Sequence, residues 1–189
     1  MNLKKYCNYQ LHHLYSVNNS LTTSVKLKLV KGLILSKIDF CNSIFINLPK
    51  YQLKKIQKII NSCLRYIFNL NWDASVSLYY LKAHILPFDY RLKYKACLTV
   101  FKCIHNIAPL YLTDLLHPYR PLSSLRSSSE NYLLKTTAID SKLSSRIFCI
   151  YAPYIWNDLP NAVRGITVMS TFKSALKTHF FKQYEASLI

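Results

Sequence analysis

The chain has 189 residues, 51% of them apolar, and sets 25 Lys and Arg against 8 Asp and Glu for a formal net charge of +17. That apolar share is enough to build a core and excludes general disorder. Six scattered cysteines without a CxxC pair exclude a secreted disulfide framework and leave reduced, mostly buried thiols as the expectation.

Glycine is almost absent, with only Gly32 and Gly165, and helix formers fill the first half of the chain. Helices are predicted over 2–17, 22–46, 50–68, 76–83, 88–105 and 109–116. The stretch Val25–Leu48 is the greasiest, but Lys26, Lys28, Lys31, Lys37 and Asp39 interrupt it. A membrane span needs roughly 20 nearly unbroken apolar residues, so no membrane partner is expected. Met1–Val17 has no signal-peptide pattern, and the expected location is intracellular, nucleus or cytoplasm, not secreted. In the third helix Pro49 suits the first turn. Leu53, Ile56, Ile60, Leu64 and Ile67 form one apolar stripe, with Lys54, Lys58 and Arg65 on the opposite side and Lys50 and Lys55 flanking. The fifth helix is apolar around most of its circumference and reads as a central helix, with Arg91, Lys95 and Lys102 on a narrow strip.

Residues 117–131 read as a loop, because Pro118, Pro121 and a serine cluster break the periodicity. Beyond it, Tyr132–Ala138 and Arg146–Tyr151 are candidate strands of a short hairpin, Ala152–Asp158 a short helix, and Thr171–Tyr184 a final amphipathic helix with Ser170 as its N-cap. The predicted fold is therefore mainly α. It comprises a helical bundle over 1–70, a helical extension over 71–116, the loop, and a C-terminal subdomain over 132–189.

The cationic excess attracts polyanions, either nucleic acid or an anionic membrane surface, and nucleic acid is the favoured reading. The candidate phosphate-binding residues are Lys54, Lys55, Lys58 and Arg65, followed by Arg91, Lys95, Arg120 and Arg126. Trp156 and the tyrosines are candidates for stacking on unpaired bases. For any single aromatic, core packing is the stronger expectation.

Several chemistries lack their residues. Two glycines 133 positions apart supply neither a P-loop nor a dinucleotide fingerprint. The closest pair of acids is ten positions apart, whereas two-metal phosphoryl transfer needs clustered carboxylates. Cys97, Cys103 and His105 diverge around a helix and match no zinc template. No G-x-S-x-G elbow presents a serine, and nothing marks out a Cys–His pair. No catalytic residue, metal or cofactor is assigned.

The run Ser36-Lys37-Ile38-Asp39-Phe40-Cys41-Asn42-Ser43, followed by Leu48-Pro49, resembles the post-palm region of jockey-like and chicken-repeat-like non-LTR retrotransposon reverse transcriptases, which often read S-R-L-D-Y-C-N-S and then L-P. The likeness continues through Gln57, Asn61 and Arg65, then Leu86-Pro87, Arg91, Tyr94 and Lys95. Ala108-Pro109-Leu110-Tyr111-Leu112 resembles their A-P-x-Y-L element, and Leu125-Arg126-Ser127-Ser128 their L-R-S-S. Ala152 to Pro160 resembles A-P-x-x-W-N-x-L-P, and Phe172 to His179 the closing F-K-x-x-L-K-x-H helix. The elements occur in order along nearly the whole chain. One departure is Ala83-His84-Ile85-Leu86-Pro87, where the family usually carries L-H-W-L-P.

The resemblance implies that residues 1 to about 70 are similar to a polymerase thumb, a helical bundle that grips the template–primer duplex, and that the rest is the extension following it. It implies a fragment of an RNA-directed DNA polymerase that lies after the catalytic palm and the endonuclease and is not an enzyme by itself. Its implied partners are RNA or an RNA–DNA hybrid and the palm and fingers of the same polyprotein. The alternative is a non-functional structural remnant, or a protein-interaction module, of a decayed mobile element.

Overall fold

The computed structural model describes residues 3–40, 42–46, 48–119, 133–136 and 147–188. Among them the fold is mainly helical, with one isolated antiparallel bridge and no sheet. The helices are α1 (Leu3–Ser16), α2 (Thr23–Val30), α3 (Ser36–Asp39), α4 (Lys50–Phe68), α5 (Ser77–Lys82), α6 (Phe88–Ile104), α7 (Leu110–Thr113), α8 (Phe148–Asn157), α9 (Asn161–Arg164) and α10 (Met169–Ala186). Contacts gather into two compact units. One comprises Met1–Asn42 and Leu48–Arg91, the other Ser43–Asn47 and Leu92–Ser187, the last two residues apart. The division falls inside α6 and not at the compositional boundaries near 70 and 117, because polar struts tie α5 and the first turn of α6 to α4.

In the first unit, α1 and α2 pack on α4. Ile56, Ile60, Leu64 and Ile67 of the expected stripe are buried, joined by Ile59, Cys63 and Tyr66, while Leu53 is half-buried. The single long helix expected over 22–46 is broken. A π-helical turn at Lys31–Leu35 joins α2 to α3, α3 stops at Asp39, and a 3₁₀ turn covers Asn42–Phe45. Gly32 and Ser36 sit at the irregularity, where the Ser36 hydroxyl donates to the Gly32 carbonyl, a side-chain bond that competes with the helical ladder. Pro49 also disfavours helical geometry at the residue before it.

Two polar assemblies close this unit. Gln57 donates to the Tyr80 hydroxyl, which donates to Asn61, and the Gln57 carbonyl accepts the Phe88 N–H at 2.8 Å. Arg91 forms a fork pair with Asp39, Nη2 reaching Oδ2 at 2.6 Å while Nε reaches Oδ1. Bidentate geometry of this kind adds direction as well as strength.

In the second unit, the Phe101 and Phe172 rings stack with centroids 4.3 Å apart, and Trp156 lies 5.7 Å from Phe172. The segment expected as a strand over 146–151 is helical from Phe148. Aromatic and β-branched side chains favour strands only when they find a pleated surface to pack on, and here Tyr151, Ala152 and Trp156 are buried on one helix that tolerates Pro153. Of the strand expected over 132–138, the described part is the bridge at Leu134, and its partner is Pro118. The Asn157 amide brackets Leu134, donating to its carbonyl at 2.8 Å and accepting its N–H at 3.0 Å. Helix α10 begins at Met169 with Val168 as the N-cap and no side-chain cap, so Ser170 lies inside the first turn and not at the expected cap position.

Prolines open several helices, and residues other than glycine close several. Pro49, Pro109 and Pro160 are the N-caps of α4, α7 and α9, with ψ between 137° and 144°. Asn69, His84 and Asn106 take left-handed φ values of 50°, 50° and 56° just after α4, α5 and α6. The next N–H in each case reaches back five residues, Leu70 to Arg65 at 2.9 Å, Ile85 to Tyr80 at 3.1 Å and Ile107 to Lys102 at 2.8 Å, the Schellman pattern of helix termination. A left-handed residue with a Cβ is strained relative to glycine. Asn106→Gly is accordingly expected to raise the unfolding free energy by about 0.5–1 kcal/mol, read from urea denaturation.

Candidate nucleic-acid interface

The solvent face of α4 is the most cationic surface that the described residues form from a single helix. Lys50, Lys54, Lys55 and Lys58 are exposed, and α1, α2 and α4 contain no Asp or Glu. Among the described residues no ion pair engages Lys54, Lys55 or Lys58. Lys55 leans over the Tyr51 ring at 5.3 Å. Because α1 packs alongside α4, its first turn extends this face. Lys4 and Asn8 join Lys55, Lys58 and Ser62 around a cleft of about 370 Å³ that includes the buried Ile59. Lysines three to four residues apart on one helix repel each other weakly, so their clustering opposes folding slightly and has to be offset by the packed face.

The other expected cations are placed differently. Arg65 is half-buried and donates through Nη2 to the Ala74 carbonyl at 3.2 Å, holding the turn after α4. Arg91 is held by Asp39, with both side chains under a fifth exposed. Both are braces within the first unit. Lys95 is half-buried in the second unit. Arg120 and Arg126 lie outside the described residues.

Of the two readings open to Trp156, the structure has the stronger one, core packing. Trp156 is fully buried in the second core and is closed to any base. The exposed tryptophan is Trp72, at the tip of the turn after α4. Neither Trp72 nor Lys4 had a signal that local periodicity could supply. Trp72 lies between helices, and Lys4 gains its meaning only from the packing of α1 on α4.

One lysine is spent internally. Lys26 is 2% exposed, donates to the Asn69 side chain at 2.9 Å and sits 5.4 Å from the centre of the Tyr66 ring. A buried ammonium needs partners of this kind to offset its lost hydration.

The buried thiols Cys7, Cys63, Cys97 and Cys103 do not resemble activated nucleophiles. Burial pushes Cys7 up to about 11 and Cys63 up to about 12, and raises Cys97 and Cys103 as well. The cleft that includes Cys103 is lined mainly by apolar residues and by no histidine among them. Among the described residues no three His, Cys, Asp or Glu side chains gather as a metal site, and no helix is long and apolar enough to cross a membrane. The raised thiols carry a pH signature. In the unfolded chain they ionise near 9.0, while in the folded chain Cys63 keeps its proton to about 12. Their contribution to stability is complete below the unfolded value and is lost as the pH climbs through the folded one. Urea denaturation should show a lower midpoint at about pH 10.5 than at about pH 8, and an unchanged midpoint would count against buried, protonated thiols.

Compared with protein-family models, curated proteins and solved structures, the chain matches none.

Proposed function

We propose that the chain is a nucleic-acid-holding module, the thumb and post-thumb region of a non-LTR retrotransposon reverse transcriptase, gripping RNA or an RNA–DNA hybrid by its phosphates while another segment of the polyprotein performs the chemistry. The observation that carries this reading is the solvent face of α4, where Lys54, Lys55 and Lys58 stand exposed on a helix without a single acid. Its opposite face is buried, so the helix is fixed in orientation and the lysines are held outward together. The ordered likeness of the sequence to those reverse transcriptases supplies the kind of nucleic acid.

Binding that runs through phosphates releases counterions and weakens steeply with salt, by a log–log slope of roughly −0.7 to −0.9 per phosphate neutralised. Replacing Lys54, Lys55 and Lys58 together by Gln is expected to weaken binding to an RNA–DNA hybrid about tenfold or more at low salt and to flatten the slope by about 2–3. Exposed substitutions of this kind leave folding within about 0.5 kcal/mol. Filter binding across a salt series measures both quantities. Absence of binding at low salt, or binding indifferent to salt, overturns the proposal.

A second reading, as a protein-interaction module of a decayed element, is favoured by one observation in the second unit. Ile107, Leu110, Tyr111 and Leu115 are exposed within nine consecutive residues, a density of apolar surface that marks contact sites. Under this reading, co-expression with a palm–fingers segment raises soluble yield, and the Leu110→Asp/Tyr111→Asp double variant cancels the rescue.

A further inference from the structure

The turn after α4 displays one large aromatic ring to solvent on a backbone that is tied down on both sides. Trp72 is 87% exposed, the most exposed of the large hydrophobic residues described. A single exposed apolar residue is ordinarily unremarkable, but this one sits on an anchored base. The Ala74 N–H bonds the Asn71 carbonyl at 3.2 Å, closing the turn around Trp72 and Asp73. On one side, Leu70 is tied back to Arg65 at 2.9 Å. On the other, the Arg65 guanidinium holds the Ala74 carbonyl and Val76 is buried.

The position of Arg65 on α4 fixes where this turn lies. Lys54, Lys58 and Arg65 are separated by four and seven residues, offsets that keep all three on one line along a helix. By holding Ala74, Arg65 folds the Trp72 turn against the end of the lysine-bearing face. From Lys58 to Arg65 is about 10 Å along the axis. Cations and an aromatic platform are the two parts with which proteins hold unpaired nucleic acid, phosphates on the first and a base on the second. Asp73, exposed beside Trp72, repels phosphate from the tip and suits it to the neutral face of a base. A duplex interior offers such a ring nothing, because its bases are already stacked on each other.

We infer that Trp72 is a stacking platform for an unpaired nucleobase whose strand continues over Lys58 and Lys54. This rests on the phosphate-binding reading of α4 and adds to it a preference for single-stranded over blunt duplex nucleic acid.

The chain has two tryptophans, Trp72 and Trp156, and the second is fully buried, so a change of fluorescence caused by a ligand on the surface reports Trp72. Titration of the full chain with a short poly(dT) oligonucleotide is expected to quench that emission, and a blunt hairpin duplex to quench it far less. Trp72→Ala should weaken poly(dT) binding about 5- to 150-fold, the worth of one base–aromatic stack, and abolish the preference over the duplex. Trp72→Phe should retain part of both. The substitution removes a side chain from solvent and not from a core, so folding is kept, which circular dichroism checks. If poly(dT) binds without quenching and Trp72→Ala binds it as well as the wild type, the stacking inference falls while the phosphate reading stands. If neither nucleic acid binds at low salt, both fall together. If anionic phosphatidylserine vesicles shift the Trp72 emission and poly(dT) does not, the tip is a membrane contact and the inference is overturned.

Discussion

Helix α4 has to satisfy two environments at once, and the first unit is organised around that constraint. Its inner face buries isoleucines, Leu64 and Tyr66 and receives α1 and α2. Its outer face carries lysines that no acid of the helix neutralises. The apolar burial supplies the free energy that keeps like charges side by side. Seven α4 residues are buried, each contributing on the order of 1.5–3 kcal/mol as an upper estimate. Repulsion between neighbouring exposed lysines is worth only a few tenths of a kcal/mol per pair. The core term is the larger by far, so the cationic face is sustained at small cost to the fold.

Scarcity of acids gives each one weight. Asp39 is committed to Arg91, and that pairing turns a candidate phosphate contact into a brace. Arg65 is drawn inward in the same way by a backbone carbonyl. Arginine suits this work because its planar fork meets a carboxylate or carbonyl in fixed geometry, whereas lysine presents a compact charge on a flexible stem that favours water. The division of labour follows from that chemistry, with the arginines of the first unit inside as struts and the lysines of α4 outside. Lys26 is the exception, and its burial is matched by an amide oxygen and an aromatic face.

Several of the residues that carry the likeness to reverse transcriptases are structural, although Phe40, Leu110 and Tyr111 among them are exposed. Asp39 and Arg91 pair with each other, and Gln57 and Asn61 hold Tyr80 and the start of α6. Asn157 clamps Leu134, Trp156 fills the second core, and three prolines open helices. These are the contacts that fix packing. The proposed contacts with nucleic acid, Lys54, Lys55, Lys58 and Trp72, lie outside that set of runs. The proposed interface is read from exposure and charge.

Local sequence determined a good deal. The 3.6-residue period placed α4 at its observed bounds and separated its buried stripe from its lysines. Pro49 marked the start of α4. All of these depend on neighbours within a turn or two of helix, where sequence spacing and spatial spacing are the same thing. Tertiary structure alone decided which cations face water, since Asp39 and Arg91 meet across 52 residues. It also placed the division inside α6, gave Leu134 its partner Pro118, buried Trp156 and left Trp72 outside. Each of those outcomes depends on which distant surface arrives to exclude water, and no periodicity in the chain encodes that arrival.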